Sequence, residues 1–152
     1  MDQNKIVLIG AGLSGPLMGI YLSQHGFNVD IYEKRSDMRL NDISAGRSIN
    51  LALSIRGIRA LKEIGIYSEI KTLIMPMNGR MIHDLSGETS LQPYGQKTNE
   101  VIYSISRAEL NKQLMSKAEE TGKIRIFFDH DLIEADLNNK FLLFNNQNKI
   151  SF

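Results

Sequence analysis

The chain has 152 residues, 42% of them hydrophobic, which is the size and composition of one globular domain. Lys and Arg number 18 against 17 Asp and Glu, so the net charge is +1 and no field of one sign is expected to attract nucleic acid or an anionic membrane. Cysteine is absent, which excludes disulfides, thiolate metal sites and cysteine nucleophiles and fits the reducing cytoplasm, where we expect the protein. Because the charge is balanced, we expect a small-molecule partner. His25, His83 and His130 lie far apart in sequence, so we expect no metal site.

The first predicted elements form a βαβ unit. Lys5–Ile9 is a short β-branched run closed by glycine, as in a buried parallel strand. A helix is predicted from about Leu13 to His25, with Gly26 as its stop. A second strand is predicted at Asn28–Tyr32, and it ends at Glu33. No segment is long and apolar enough to predict a membrane span.

In the rest of the chain, the hydrophobic pattern changes more than once between the period of a helix and that of a strand. Residues 34–46 are polar and irregular, and the segment GRSINLALS that follows has a strand-like tail. The later predicted elements are a helix from Ser54 to Gly65, a short helix around Tyr67–Leu73, strands at Gly79–Asp84, Thr89–Tyr94 and Val101–Ile105, a helix at Arg107–Thr121 with a capping box from Ser106 and Glu109, and strands at Lys123–Phe128, Leu132–Leu137 and Phe141–Phe144. We expect Met75, Met77 and Met81 to fill a core, although flexible thioethers also suit the wall of an aromatic-substrate pocket. We assign no structure to the final NNQNKISF.

The turn after the first strand carries the motif G-x-G-x-x-G. Gly10 suits a tight turn, Gly12 lets the backbone approach a pyrophosphate, and Gly15 lets the helix pack closely on the strand. The N-terminus of the helix adds amide donors and a favourable dipole. Because the motif lies between a predicted strand and a predicted helix, it predicts a dinucleotide-binding turn.

An acidic residue follows at the end of the second predicted strand. Glu33 comes close to the offset of about 20 residues at which a carboxylate meets a ribose hydroxyl. A carboxylate there repels a 2′-phosphate, which disfavours NADP at this turn. The motif serves FAD and NAD equally, so both remain open on this evidence.

The chain past Glu33 carries further motifs. A nicotinamide dehydrogenase would continue there with more βα units, whereas this chain turns irregular, then helical, then into consecutive strands. The further motifs are GRSINLALS (46–54), RMIHDLSG (80–87), PYG (93–95) and SISRAELNKQL (104–114). In order and spacing they resemble the kynurenine 3-monooxygenase family of FAD-dependent aromatic hydroxylases. The likeness extends from the glycine motif to about Leu132.

The resemblance implies a fold and an activity. The implied fold is an α/β, Rossmann-like FAD-binding domain of the GR2 type, similar to para-hydroxybenzoate hydroxylase. Residues 1–152 would be its N-terminal part, and strands within about 74–105 would belong partly to an inserted substrate-facing sheet. The implied enzyme binds FAD, consumes NADPH and dioxygen, and hydroxylates L-kynurenine to 3-hydroxykynurenine, in tryptophan degradation and NAD biosynthesis. A homodimer is left open.

The resemblance also implies roles for single residues. No residue of this chain is assigned as catalytic, because the oxidising chemistry belongs to the cofactor. Arg80 and Tyr94 would hold the carboxylate of the substrate, since an arginine fork and a tyrosine hydroxyl are suitable donors. The cofactor-binding residues implied by the family are Gly10, Gly12, Ser14, Gly15, Glu33, Lys34, Arg35, Ala52, Arg107 and Leu132.

The sequence also departs from the family. The 152 residues end before the later DG and GD segments, and the last predicted hairpin would leave an apolar edge uncovered. We therefore expect a portion of a longer polypeptide that, as these 152 residues alone, binds FAD weakly and hydroxylates nothing. Two alternatives stay open: an aromatic hydroxylase of the same class with another carboxylated substrate, and a non-catalytic dinucleotide-binding module.

Overall fold

The computed structural model describes residues 4–40, 49–97 and 100–152. In chain order, the elements of these ranges are β1 (Lys5–Ile9), α1 (Ser14–Gln24), β2 (Asn28–Tyr32), β3 (Asn50–Leu53), α2 (Ile55–Glu63), α3 (Tyr67–Ile70), β4 (Met75–Met77), β5 (Gly79–His83), β6 (Thr89–Pro93), β7 (Ile102–Ser106), α4 (Arg107–Glu120), β8 (Ile124–Phe127), β9 (Leu132–Asp136), β10 (Phe141–Phe144) and β11 (Lys149–Ser151). They fall into two compact units, residues 1–47 with 110–152, and residues 48–109.

The first unit is built on a parallel sheet of order β1-β2-β8. The predicted βαβ unit is confirmed, and β1 and β2 have the predicted bounds. α1 packs closely on this sheet at Gly19, where an added Cβ would lie 3.3 Å from Ile31 and 3.4 Å from Ile124. Val29, Ile31 and Ile124 are at most 3% exposed, so this interface forms one half of the unit's core.

A second, antiparallel sheet of order β11-β10-β9 belongs to the same unit. Tyr32 at the end of β2 stacks on Phe127 and Phe144, with ring centroids 4.8 and 4.7 Å apart. Leu142 is buried in the same cluster, and Leu132 packs against it. The aromatic cluster therefore joins the end of β2 to the strand that carries Leu132.

An ion cluster lies across the parallel sheet. The carboxylate of Asp30 is buried in β2 and accepts hydrogen bonds from Arg125 Nε at 2.9 Å and Nη2 at 3.0 Å. Lys5 Nζ lies 2.8 Å from the same carboxylate. Burial alone would raise the pKa of Asp30, but the hydrogen bonds and charges of Arg125 and Lys5 outweigh it and lower that pKa.

The second unit combines an antiparallel sheet of order β3-β7-β4 with the hairpin β5-β6 and two helices. Ser54 is the N-cap residue of α2 in extended conformation, as expected, although its side chain makes no capping hydrogen bond. Buried Leu53, Ile58 and Leu61 are among the residues that form the core of the unit.

Two strands were not predicted, and one prediction of burial was wrong. β4 contains Pro76, which is tolerated because β4 lies at the edge of the sheet, beside β7 in the order β3-β7-β4. β11 falls within the uninterpreted NNQNKISF. Met75 and Met81 are 69% and 55% exposed, so they do not fill a core within the described residues. Among those residues, no helix has the length and apolar run needed to cross a bilayer.

Candidate functional site

The glycine motif forms a tight turn between β1 and α1. Gly10 has φ +96°, a left-handed value that glycine adopts freely, and its N–H donates to the carbonyl of Tyr32 at 2.7 Å. A Cβ on Gly15 would overlap the carbonyl oxygen of Gly10, so only glycine lets the helix approach the turn this closely. A Cβ on Gly12 would meet nothing within 4 Å, which leaves space for a ligand beside its backbone.

The N-terminus of α1 is suited to an anion. Leu13 is the N-cap residue and makes no side-chain capping bond, and the first turn carries no acidic residue. The N-cap side chain therefore does not occupy the amide donors of this turn, and no acidic side chain of the first turn repels a phosphate. A diphosphate is the chemical group that this arrangement fits.

Glu33 is 5% exposed, and its carboxylate is held by backbone and by arginine. Its Oε2 accepts from the N–H of Ala11 at 2.7 Å, and its Oε1 accepts from the N–H and Nε of Arg35 at 3.0 and 2.8 Å. Since each carboxylate oxygen accepts two hydrogen bonds, Oε2 retains capacity for one more donor. A ribose hydroxyl is a donor of that kind.

The charge of Glu33 is stabilised despite its burial. Desolvation alone would raise the pKa of this carboxyl group, but the hydrogen bonds from Arg35 and Ala11 and the charge of Arg35 outweigh it and lower that pKa. Glu33 is therefore ionised at neutral pH and acts as an acceptor only. A 2′-phosphate at the same position would meet a fixed negative charge.

A cavity of about 380 Å³ lies at the edge of the sheet where β1, β2 and β8 end. This is the edge at which open parallel sheets bind ligands, and the volume lies in the usual range for small-molecule sites, about 300–1,000 Å³. The cavity is lined by Ile9, Gly10, Gly12, Tyr32, Glu33, Lys34, Arg35, His130, Asp131 and Leu132. Six of these were predicted as cofactor-binding residues, namely Gly10, Gly12, Glu33, Lys34, Arg35 and Leu132.

Four predicted cofactor-binding residues do not line this cavity. Ser14 is the exposed first residue of α1, and Gly15 packs beneath the turn. Ala52 and Arg107 belong to the second unit. Ala52 is exposed and pairs with Ser104 between β3 and β7, and Arg107 is the exposed first residue of α4.

The two predicted substrate-binding residues lie at the β5-β6 hairpin. Arg80 lies opposite Gln92, and Tyr94 follows the last residue of β6, where its N–H donates to the carbonyl of Asn78 at 3.0 Å. Because residues directly opposite each other in an antiparallel pair share a face, Arg80 and Gln92 lie on one side of the hairpin. Arg80 Nε donates to Gln92 Oε1 at 2.6 Å, which leaves its two terminal nitrogens for a ligand.

Sequence reasoning missed three residues near the glycine motif. His130 and Asp131 line the cavity, and the N–H of His130 donates to the carbonyl of Glu33 at 2.9 Å. Their position just after a strand of the parallel sheet was a usable signal, since the carboxyl ends of such strands meet at one edge. Asn111 is 7% exposed and contacts the motif through Ala11, and an asparagine inside a helix gave no comparable signal.

One part of the expected site lies outside the described residues. Gly46, Arg47 and Ser48, the polar start of GRSINLALS, fall in the range 41–48.

Comparison with known proteins identifies the family of this fold. A family model described as an FAD binding domain matches residues 3–140. The tetrameric form of 2-methyl-3-hydroxypyridine-5-carboxylic acid oxygenase superimposes with a TM-score of 0.74 at 19% identity, covering 99% of this chain and 38% of that one. The fold class predicted from the sequence, a Rossmann-like FAD-binding domain, is confirmed.

Curated relatives share much more sequence. The kynurenine 3-monooxygenase of Legionella pneumophila (strain Corby) is 45% identical over 146 residues, which are 96% of this chain and 32% of that protein. The kynurenine 3-monooxygenase of Sus scrofa is 45% identical over 135 residues, 89% of this chain and 28% of that protein. The chain thus spans about a third of the length of these relatives, and the predicted resemblance to their family is confirmed.

Proposed function

This chain belongs to the FAD-binding domain family, and on that premise we propose that it is the N-terminal, cofactor-binding portion of a flavin-dependent monooxygenase. The proposed enzyme uses NADPH and dioxygen to hydroxylate L-kynurenine to 3-hydroxykynurenine. The observation that carries the proposal is the similarity to kynurenine 3-monooxygenases along nearly the whole chain. The cavity at the end of the parallel sheet, lined by six of the residues that the resemblance implied, supports the FAD-binding part of the proposal.

The chain's own residues fit the adenosine diphosphate part of FAD. The N-terminus of α1 and the backbone beside Gly12 would bind the diphosphate, because this region presents amide donors and open space. Glu33 would accept a hydrogen bond from the ribose, and Leu132 would contact the adenine. When bound, the flavin supplies the redox chemistry that activates dioxygen, and the protein supplies orientation and electrostatics.

The β5-β6 hairpin would orient the substrate through its carboxylate. Gln92 holds Nε of Arg80, so the guanidinium presents its other edge as a fork of two donors. The hydroxyl of Tyr94, just beyond the end of β6, would add a further donor. A residue with this role binds and orients the substrate. Its loss raises KM, and any displacement of the ring that follows also lowers the rate, since a shift of about 1 Å costs on the order of 100-fold.

The test uses the product of the complete reading frame. The expected result is a yellow protein whose NADPH oxidation is stimulated by L-kynurenine and yields 3-hydroxykynurenine. Arg80→Lys keeps the charge but loses the fork, and we expect it to raise KM for kynurenine about tenfold, the effect of losing roughly 1.4 kcal/mol of binding. FAD affinity should not change, because Arg80 does not line the cofactor cavity.

Arg59→Lys is the matched control, because Arg59 is an exposed residue of α2 with no predicted role. It should leave KM unchanged. Stimulation by another aromatic acid in place of kynurenine would contradict the proposed substrate. If the protein binds FAD but none of the aromatic acids tested stimulates its oxidation of NADPH, a non-catalytic module is favoured instead.

A further inference from the structure

Asn111 is a buried polar residue of α4 whose side chain reaches the glycine motif. It is 7% exposed, and its Nδ2 donates to the carbonyl oxygen of Ala11 at 3.0 Å. Its other contact is weak, a 3.3 Å approach of Nδ2 to the sulfur of Met38. The side-chain orientation is determined by these contacts, since only the amide nitrogen can donate to a carbonyl.

The Ala11 residue is consequently held at both ends. Its N–H donates to Glu33 Oε2 at 2.7 Å, while its carbonyl accepts from Asn111. Ala11 itself is 1% exposed. Two buried side chains from different elements therefore fix the rotation of the backbone between Gly10 and Gly12, the residues that form the ligand-facing turn.

The bond to Asn111 has a direct consequence for Gly12. In a trans peptide the carbonyl of one residue and the N–H of the next point in opposite directions. With the Ala11 carbonyl directed at Asn111, the N–H of Gly12 is directed away from α4. A Cβ on Gly12 would meet nothing within 4 Å, so its backbone is accessible to a ligand.

The side-chain oxygen of Asn111, Oδ1, indicates that this asparagine does not serve stability alone. Its Oδ1 is buried and has no hydrogen-bond partner among the described residues. An unsatisfied buried oxygen is costly. The pocket that Asn111 lines includes Glu33, Arg35 and Ser36 besides Met38, Met115 and Phe128, yet among the described residues none of them is a hydrogen-bond partner of Oδ1. The benefit that offsets this cost is the bond from Nδ2 to Ala11.

The segment opposite Asn111 is also fixed. Arg39 Nε donates to Asp37 at 2.9 Å, and its Nη1 donates to Glu119 of α4 at 2.6 Å. This network ties the segment that carries Met38 to the helix that carries Asn111. The amide of Asn111 is thereby confined between two anchored elements and is preorganised as a donor.

We propose that Asn111 is a positioning residue for the diphosphate-binding turn, acting through the Ala11 peptide to direct the N–H of Gly12 at the diphosphate of FAD. This inference rests on the proposed FAD binding and adds to it a residue outside the glycine motif. Asn111 touches no ligand in this account, and its effect is transmitted by one peptide plane.

The experiment compares two variants of Asn111 with a matched control in the product of the complete reading frame. Asn111→Leu removes the donor, and Asn111→Asp keeps the shape but replaces the donor with an acceptor. Ser23→Ala is the control, because Ser23 is 4% exposed, donates to the carbonyl of Ile20 at 2.8 Å and does not line the cavity. FAD dissociation constants come from flavin fluorescence, and unfolding midpoints come from the FAD-free protein.

We expect both Asn111 variants to weaken FAD binding about tenfold or more, as loss of one buried hydrogen bond predicts, and Ser23→Ala to leave it within about twofold. Asn111→Asp should regain affinity as the pH falls, because a protonated carboxyl group can again donate to Ala11. Because protonation also removes a buried charge, the unfolding midpoint of the FAD-free variant is followed over the same pH range. A purely structural role would change the affinity only in step with that midpoint.

The possible failures are distinguishable. Two outcomes would overturn the role of Asn111 and leave the proposed function standing. One is an FAD affinity that is unchanged in both Asn111 variants. The other is an affinity lowered equally in Ser23→Ala at a similar unfolding midpoint. An Asn111→Asp affinity that does not respond to pH would also overturn it. A wild-type protein that binds no FAD would overturn the proposed function and this inference with it.

Discussion

Replacing Glu33 by glutamine tests the electrostatics of the cofactor cavity. The substitution keeps the size of the side chain but removes its charge and turns one acceptor oxygen into a donor. At present Oε2 accepts from Ala11 and Oε1 accepts twice from Arg35. In Glu33→Gln one of these ends must place a donor against a donor, so a buried hydrogen-bonding group loses its partner.

Two effects contribute, and they differ in size. The ion pair with Arg35 is worth at most about 1 kcal/mol, because the arginine side chain is 69% exposed and its charge is screened. The donor left facing the new amide NH2, whether the N–H of Ala11 or that of Arg35, costs more, about 1–3 kcal/mol. The free energy of unfolding without FAD should therefore fall by about 1–3 kcal/mol, mainly through this unpaired donor.

FAD binding should weaken further, because the ribose hydroxyl loses an ionised acceptor. A hydrogen bond to a charged group contributes about 1.5–3 kcal/mol, which corresponds to about a 10- to 150-fold increase in the dissociation constant. Fluorescence titration with FAD and urea unfolding measure the two effects. Glu134→Gln is the matched control, since Glu134 is exposed on β9 and the charge change is identical. An affinity within threefold of wild type, with stability unchanged, would refute the assigned role of Glu33.

The other predictions concern stability and the glycine turn. Asp30 has a lowered pKa, so its contribution to stability is complete above the ordinary value of 3.8 and is lost as pH falls through its folded pKa. Asp30→Asn should therefore lower the free energy of unfolding by urea at pH 7 and make it depend less on pH under acidic conditions. Gly12→Ala should leave the free energy of unfolding within about 0.5 kcal/mol but weaken FAD binding at least about tenfold, because its Cβ fills the ligand's approach. Gly15→Ala should lower both stability and affinity, since its Cβ overlaps the Gly10 carbonyl. Phe144→Ala, at 1% exposure, should cost about 3–5 kcal/mol in urea unfolding.

The βαβ unit was predictable because its signals are local. β-branched residues in β1 and β2, glycine at the tight turn and Gly26 after α1 each act within a few residues. Gly10, Gly12 and Glu33, which line the cavity, follow from that unit, whereas Lys34 and Arg35 came from the family resemblance. Leu132 and the substrate pair came from the family resemblance instead, because nothing in their local sequence indicates a ligand.

The missed features depend on contacts distant in sequence. β4 forms by pairing with β7 across more than 20 residues, and Pro76 is a signal against a strand when read locally. Asn111 meets Ala11 across 100 residues, and an asparagine within a helix normally indicates a solvent-exposed position. Met75 and Met81 were assigned to a core from composition alone, whereas both lie on exposed strands.

The most direct test of the account is the origin of the oxygen in the product. The protein from the complete reading frame is supplied with NADPH, L-kynurenine and dioxygen labelled with oxygen-18, and the product is analysed by mass spectrometry. The account predicts 3-hydroxykynurenine that carries one labelled atom in its new hydroxyl group. No hydroxylated product, or a hydroxyl oxygen derived from water, would contradict it.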